Sequence, residues 1–442
     1  MSNSIIINDK ISRYNKIVRV SGDKSLSIRW VLFSSLADGV SKSKNLLMSE
    51  DVFAAINAIK QLGIKSSINK NTCRIYGKGI DGYRYKKNLT IDAKNSGTLG
   101  RLILGLLIKN SNPIKLIGDK SLSKRDFKRV ADPLSKFGAR FELNKKKNLP
   151  LKITGTNKPT SIRYNEKKGS AQCKSAIIFG GMRAEGTTVI KAKKSRDHTE
   201  LLCKYLKLPI TVKNKKKYDE IKISKVKKIK KLNYDIPSDI SSGAFFVVLT
   251  ALSKSSQLII KKVNINKSRI GVIDILKRMG VKITFQNKKI YKGEKIADLH
   301  IKSSNSFRPI NCPTSLNSSA IDEFLLIFLV AAKANGISYF KNLSELNKKE
   351  SPRLIWGSKI LSKMGIKNQI TNDSIKIYGN PKLKINKKII IKNFLEDHRV
   401  FMTSVIAALT CGGSWDIHQK KSVKTSFPTF INKIKSLGAK IH

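Results

Sequence analysis

Leu62-Gly63-Ile64-Lys65 ends a helical stretch and opens a β-prone one, and the same punctuation returns down the chain. It reappears as Phe137-Gly138-Ala139-Arg140, Met279-Gly280-Val281-Lys282, Met364-Gly365-Ile366-Lys367 and Leu437-Gly438-Ala439-Lys440. Leu208-Pro209-Ile210 fills the remaining place, with proline for glycine, and the successive spacings from Gly63 are 75, 71, 71, 85 and 73 residues. Glycine directly after a helix suits the left-handed position that closes the last turn, where a Cβ is strained. A period of this length marks a repeated supersecondary unit. Six units are predicted.

A second helix recurs in each unit, expected at Lys24–Asp38, Ser96–Lys109, Lys174–Ala184, Ser241–Ser253, Ala320–Ala334 and His398–Thr410. These stretches are more apolar than a one-sided surface helix, so each is expected to be buried among its neighbours. Three units per globular half is the natural division, with Pro237–Asp239 as the hinge.

Five of these helices begin with small polar residues, most with a Lys or Arg nearby: Gly22-Asp23-Lys24-Ser25, Asn95-Ser96-Gly97-Thr98, Gly169-Ser170-Ala171-Gln172, Asp239-Ile240-Ser241-Ser242 and Glu396-Asp397-His398-Arg399. Helix starts expose N–H groups and partial positive charge, so cations beside them make anion sites. Ordinary capping by Ser and Asp is the competing explanation for any one of them.

Composition narrows the class. The 442 residues are 40% hydrophobic and 27% charged, which suits a folded protein of two to four domains. No apolar run approaches the ~20 residues needed to cross a bilayer, and Met1–Lys16 has no signal-peptide pattern. A soluble, cytoplasmic protein with no membrane partner is expected. The five cysteines are scattered without a C-x-x-C pair, and the five histidines form no close pair, so neither a disulfide framework nor a metal site is expected.

The formal net charge of +58 raises a different class, a basic nucleic-acid-binding repeat protein. The 71 lysines, however, are scattered through Asn/Ile/Lys-rich stretches such as Asn144–Asn148, Lys213–Lys217 and Lys225–Lys231, with no aromatic platform between them. They read as a solvated surface, and no nucleic-acid partner is expected. Several of the 17 arginines sit instead in short motifs.

Those motifs carry a resemblance along nearly the whole chain. In order they are Gly22-Asp23-Lys24-Ser25-Leu26-Ser27-Ile28-Arg29, Asn95-Ser96-Gly97-Thr98-x-x-Arg101, Gly118-Asp119-Lys120-Ser121-Leu122-Ser123-Lys124-Arg125 and Gly169-Ser170-Ala171-Gln172-Cys173-Lys174-Ser175. Ser195-Arg196-Asp197-His198-Thr199-Glu200, Asp239-Ile240-Ser241-Ser242, Asp322-Glu323, Lys349-Glu350-Ser351-Pro352-Arg353-Leu354, Asp397-His398-Arg399 and Thr425-Ser426-Phe427-Pro428 follow. The chain resembles the 5-enolpyruvylshikimate-3-phosphate (EPSP) synthases of the enolpyruvyl transferase family. The resemblance implies an α/β fold of two globular halves, each of three β-α-β-α-β-β repeats with buried helices, an inside-out α/β barrel. Residues 22–237 would form one half, and 1–21 plus 238–442 the other, with the substrates held between them. It also implies transfer of the enolpyruvyl group of phosphoenolpyruvate to the 5-hydroxyl of shikimate 3-phosphate, without metal or organic cofactor, in a glyphosate-sensitive monomer.

By resemblance, Lys24, Ser25, Arg29, Ser170, Ala171, Gln172, Ser195, Arg196, Asp322 and Lys349 hold shikimate 3-phosphate. Lys24, Asn95, Gly97, Arg125, Gln172, Arg353 and Arg399 hold phosphoenolpyruvate. Planar Arg forks suit the phosphate and carboxylate of these ligands. The reaction needs two proton transfers. Asp322 matches the base toward the hydroxyl, Glu350 the group handling the methyl proton, and Lys24 rivals it near the bridging oxygen. Asp322 could alternatively cap the apolar helix after it. His398 is expected to set Arg399, and helical spacing to put Glu350 and Arg353 on one face.

The chain departs from the family pattern at Ser21, Ile28, Ala171 and Pro352, and Thr425 stands where some members carry lysine. The nearest alternative is the sister enolpyruvyl transferase acting on a UDP-sugar. That enzyme relies on a loop cysteine, and Cys73 has no motif around it.

Overall fold

The computed structural model describes residues 3–110 and 112–442. Contacts within the chain divide it into two compact units. One comprises Gly22–Ile236 with the short segment Ile290–Glu294; the other comprises the N-terminal residues through Ser21, Pro237–Lys289 and Lys295–His442. Segment 290–294 is the tip of the hairpin formed by strands Lys282–Tyr291 and Glu294–Lys302, and the boundaries read from sequence did not separate it.

Six sheets are present among the described residues, and one pattern runs through them. In the unit built on 22–236, Leu89–Asp92 lies parallel to Ile114–Ile117, which pairs antiparallel with Leu151–Thr154, and that with Arg140–Leu143. Arg163–Glu166, Thr187–Lys193, Tyr218–Ser224 and Ile210–Asn214 repeat this order. The first sheet has no leading strand of its own. Tyr234–Asp235, from the far end of the unit, lies parallel to Asp38–Lys44 in its place.

The other unit makes two such substitutions. Asn15–Val18 lies parallel to Gln257–Ile260 and supplies the missing leading strand of the fourth repeat. In the last sheet Lys388–Ile391 runs parallel to Ser414–His418, which pairs antiparallel with Ser4–Ile7. His442 then joins that edge, with Ile6 N–H donating to His442 O at 2.9 Å and His442 N–H to Ile6 O at 3.0 Å.

One buried helix in each repeat fills the cores. Every residue of Phe324–Ala332 is buried, as are Ile240–Ala251 in the helix Ile240–Leu252. Lys24–Ser35, Gly97–Leu106, Ala171–Gly181 and His398–Cys411 are buried nearly all round. Two starts differ from expectation. Ser170 begins the third helix, ahead of Lys174, and the fifth breaks at Ile321–Glu323, leaving Asn317–Ala320 as a separate turn.

The repeat glycines adopt the left-handed backbone that their spacing implied: φ is +85° at Gly63, +100° at Gly138, +93° at Gly280, +83° at Gly365 and +103° at Gly438. The sixth place is corrected. Lys207, not Pro209, holds the left-handed position, with φ +56° after the helix His198–Tyr205. Leu208 N–H donates to Cys203 O at 3.0 Å, just as Ile64 N–H donates to Ile59 O at 3.0 Å. Pro209 follows, before strand Ile210–Asn214. A side chain there is strained by ~1–2 kcal/mol, partly offset by the greater freedom glycine has in the unfolded chain. Lys207→Gly is therefore expected to stabilise the protein by about 0.5–1 kcal/mol, read as a rise in Tm; a fall would show that Lys207 makes contacts worth more than its strain.

Candidate active site

The helix starts build the site. In five of the buried helices the side chain of the capping residue accepts from a backbone N–H of the first turn: Asp23 from Leu26, Ser96 from Leu99, Ser170 from Cys173, Asp239 from Ser241 and Asp397 from Arg399. The capping explanation therefore holds for these five residues.

In the unit built on 22–236, Arg29 is the centre of one cluster. It is buried, its Nε donates to Thr199 Oγ1 at 2.8 Å, NH1 to Ser25 O at 3.1 Å and NH2 to Ser175 Oγ at 3.0 Å. Burial lowers its pKa to about 10, against the opposing pull of the Glu200, Asp23 and Glu294 carboxylates. Lys24 Nζ lies 3.0 Å from Asp51 and stays partly exposed. Behind this cluster two fully buried pairs brace helix His198–Tyr205: Lys174 with Glu200 at 2.6 Å, and His198 Nδ1 with Glu294 at 2.7 Å. Ser195 Oγ is buried with no hydrogen-bond partner among the described residues.

A second cluster surrounds Gly97. A Cβ there would stand 3.1 Å from both Arg101 NH1 and Arg125 NH1. Arg101 NH1 donates to Gln172 Oε1 at 2.5 Å, and Gln172 Nε2 to Thr98 Oγ1 at 3.1 Å. Burial, with Arg125 and Arg129 nearby, lowers the Arg101 pKa to about 10. Asn95 Nδ2 donates to Asp119 Oδ2 at 2.6 Å. Arg101 stood in a quoted motif without a role; the structure gives it one, as the group that orients Gln172.

The other unit brings Asp322, Lys349, Glu350, Arg353 and Arg399 together. Asp322 Oδ1 accepts from Lys349 Nζ at 3.1 Å and from Arg353 NH1 at 3.5 Å. It does not cap the following helix; Glu323 takes that position without a capping bond. Arg353 Nε and NH2 donate to the two oxygens of Asp397 at 2.9 and 3.2 Å, and NH2 also meets Glu350. Burial works against the charge of Arg353, but Asp397 and Glu350 outweigh it and hold the cation firmly protonated. Glu350 and Arg353 do meet, although not on a helix face: the helix begins at Arg353, after Pro352.

Arg399 is held differently from expectation. Its backbone N–H donates to Asp397 at 2.9 Å, and its NH1 to Glu323 Oε1 at 3.1 Å and Asp322 O at 3.0 Å. His398 Nδ1 instead lies 3.4 Å from Thr425 Oγ1. Asp397, Glu323 and Arg269 are the residues whose roles the sequence reading missed. The first two lay inside quoted motifs, whereas Arg269 carries no local signal at all. Among the described residues no cluster of His, Cys, Asp and Glu is arranged to hold a metal ion.

Known proteins match this architecture from end to end. A family model described as EPSP synthase (3-phosphoshikimate 1-carboxyvinyltransferase) covers residues 8–434. The chain belongs to the EPSP synthase family. Among its relatives, the 3-phosphoshikimate 1-carboxyvinyltransferase of Ruthia magnifica is 40% identical over 427 residues, covering 96% of each chain. That of Hydrogenovibrio crunogenus is 38% identical, covering 96% of this chain and 95% of the relative. The EPSP synthase structure from Acinetobacter baumannii superposes with a TM-score of 0.88 at 34% identity, over 99% of this chain and 98% of that one. The enolpyruvyl transferase NikO from Streptomyces tendae, at 14% identity and a TM-score of 0.76, shares the fold. This EPSP synthase family chain is thus a transferase of the shikimate pathway with the two-unit inside-out α/β fold. The UDP-sugar alternative is set aside, because the relatives at 37–40% identity are named for the shikimate reaction.

Proposed function

We propose that the chain joins phosphoenolpyruvate to shikimate 3-phosphate through the residues assembled above. The observation that carries this reading is the Asp322–Lys349–Arg353–Glu350 cluster, which sets two carboxylates among cations. In the addition step the 5-hydroxyl oxygen bonds to C2 of phosphoenolpyruvate, its proton passes to Asp322, and C3 receives a proton from Glu350. In the elimination step the C2–O bond to phosphate breaks as the proton held by Asp322 passes to the departing phosphate oxygen, a C3 proton returns to Glu350, and the vinyl ether forms, leaving both carboxyl groups as they began. Lys24 stands as the alternative donor toward the bridging oxygen.

Arg29, Ser25, Ser170, Ala171, Gln172, Ser195, Arg196 and Lys349 take shikimate phosphate in this reading. Lys24, Asn95, Gly97, Arg125, Gln172, Arg353 and Arg399 take phosphoenolpyruvate. The unit built on 22–236 therefore contributes mainly binding, and the other unit the carboxylate chemistry. The enzyme would act as a cytoplasmic monomer without metal.

Phosphate release from phosphoenolpyruvate is the test. Release is expected only with shikimate 3-phosphate present, to survive EDTA, and to be suppressed by glyphosate. Release independent of the second substrate, or lost on chelation and restored by a divalent ion, would reject the mechanism.

A further inference from the structure

A chain of buried polar groups runs from the start of helix Ile240–Leu252 to Arg399. Asp239 Oδ1 accepts from Arg269 NH2 at 3.2 Å, and the same NH2 donates to Ser241 Oγ at 2.7 Å. Ser241 Oγ in turn donates to Glu323 Oε1 at 2.6 Å. Glu323 Oε1 accepts from Arg399 NH1 at 3.1 Å. Arg269 and Glu323 are 3% and 1% exposed, so none of this is a loose surface pair. No described residue is bonded to Arg399 Nε or NH2, whereas the fork of Arg353 is already taken by Asp397.

A fully buried carboxylate is costly to ionise, and burial raises the pKa of Glu323 against the pull of Arg399. Such a group stabilises the fold less than an apolar residue of similar size would. Its effect is geometric. It fixes one edge of the Arg399 guanidinium, with the Phe245 ring 5.7 Å beneath the guanidinium carbon, and leaves the Nε–NH2 edge for a two-pronged anion.

We propose that Glu323 is a positioning residue that aims Arg399 at phosphoenolpyruvate, and that Ser241 and Arg269 hold Glu323 in place. The inference rests on the enolpyruvyl-transfer reading. It explains why Asp239-Ile240-Ser241-Ser242, distant in sequence from the other ligand motifs, accompanies them.

Glu323→Ala is expected to raise KM for phosphoenolpyruvate at least ~10-fold, about 1.4 kcal/mol, with KM for shikimate 3-phosphate within ~2-fold. Glu323→Gln, whose amide oxygen still accepts from Ser241 or Arg399, should recover most of that loss. Should Glu323→Ala fail to fold, Ser241→Ala gives the same reading more gently: it removes the link to Arg269 in a first turn that tolerates alanine, and should raise KM for phosphoenolpyruvate ~3-fold. An unchanged KM for phosphoenolpyruvate in both folded variants, or equal rises for both substrates, would overturn the proposal. A wild-type protein that releases no phosphate with both substrates would instead overturn the reading it rests on.

Discussion

Asp322→Asn is expected to lower turnover by at least ~10²-fold, and Glu350→Gln by a similar factor, the ordinary scale for a lost acid–base group. Both replacements keep size and shape. The amide oxygen that Asp322→Asn introduces can still accept from Lys349, 3.1 Å away in the native protein, and the one that Glu350→Gln introduces can still accept from Arg353. Neither amide can take up or release a proton at the reacting atoms. Binding should therefore outlast catalysis: shikimate 3-phosphate is expected to bind both variants far better than Lys24→Ala, which deletes a proposed ligand contact. Turnover and ligand affinity measured on the same preparations separate the two effects. Near-wild-type turnover in either variant would remove that carboxylate from the mechanism.

Asp397→Ala is expected to act on fold and activity together. Its carboxylate receives Arg353 through two nitrogens, Ser351 through N–H and Oγ, and the Arg399 N–H that starts helix His398–Cys411. Removing it takes the two-pronged partner from the buried Arg353 guanidinium, which keeps only Glu350 and Asp322, a loss of about 2–3 kcal/mol, and removes a helix cap worth ~1 kcal/mol. With the Arg353 fork freed to turn and the helix start that carries Arg399 uncapped, activity should fall by ~10²-fold or more.

The pH dependence has a definite sign. Burial alone would raise the Asp397 pKa, but Arg353 outweighs it and holds the carboxyl below the usual aspartate range. A carboxyl whose folded pKa is lowered contributes stability at pH above the ordinary value and loses it as pH falls through the lowered one. Thermal melting against pH should show that acid limb in the native protein and a flatter profile in Asp397→Ala. Parallel profiles would show that the pair does not set acid stability.

How far the sequence could be read depended on whether a residue's reason was local. Gly63, Gly138, Gly280, Gly365 and Gly438 were legible because a left-handed turn after a helix asks for glycine, whatever surrounds it. Lys207 was not, since a lysine in that conformation leaves no compositional trace and Leu208-Pro209-Ile210 imitates the pattern two residues later. Asp322 and Glu350 stood out as motif residues, but the partners that surround them did not. Arg353 and Asp397 are 44 positions apart, and nothing near Arg269 announces that it serves Glu323 through Ser241. Glu350 meets Arg353 as the spacing suggested, yet Pro352 places it outside the helix that the spacing assumed.

The borrowed N-terminal strands bear on how the chain is made. Residues 22–236 can close most of their unit as soon as they leave the ribosome. Ser4–Ile7 cannot settle until Trp415–His418 exists, because that strand is its hydrogen-bonded neighbour. At ordinary translation speeds the wait lasts roughly 20–80 s. Throughout it Ile5-Ile6-Ile7 is an unpaired, strand-prone apolar segment, the kind that recruits other chains. Asn3 and Ser4 before it, and Asn8-Asp9-Lys10 after it, are the polar flanks that keep such a segment soluble while it waits. A strand synthesised long before the rest of its own unit is thus among the last to fold, and the nascent enzyme is most exposed to aggregation at a segment it made early.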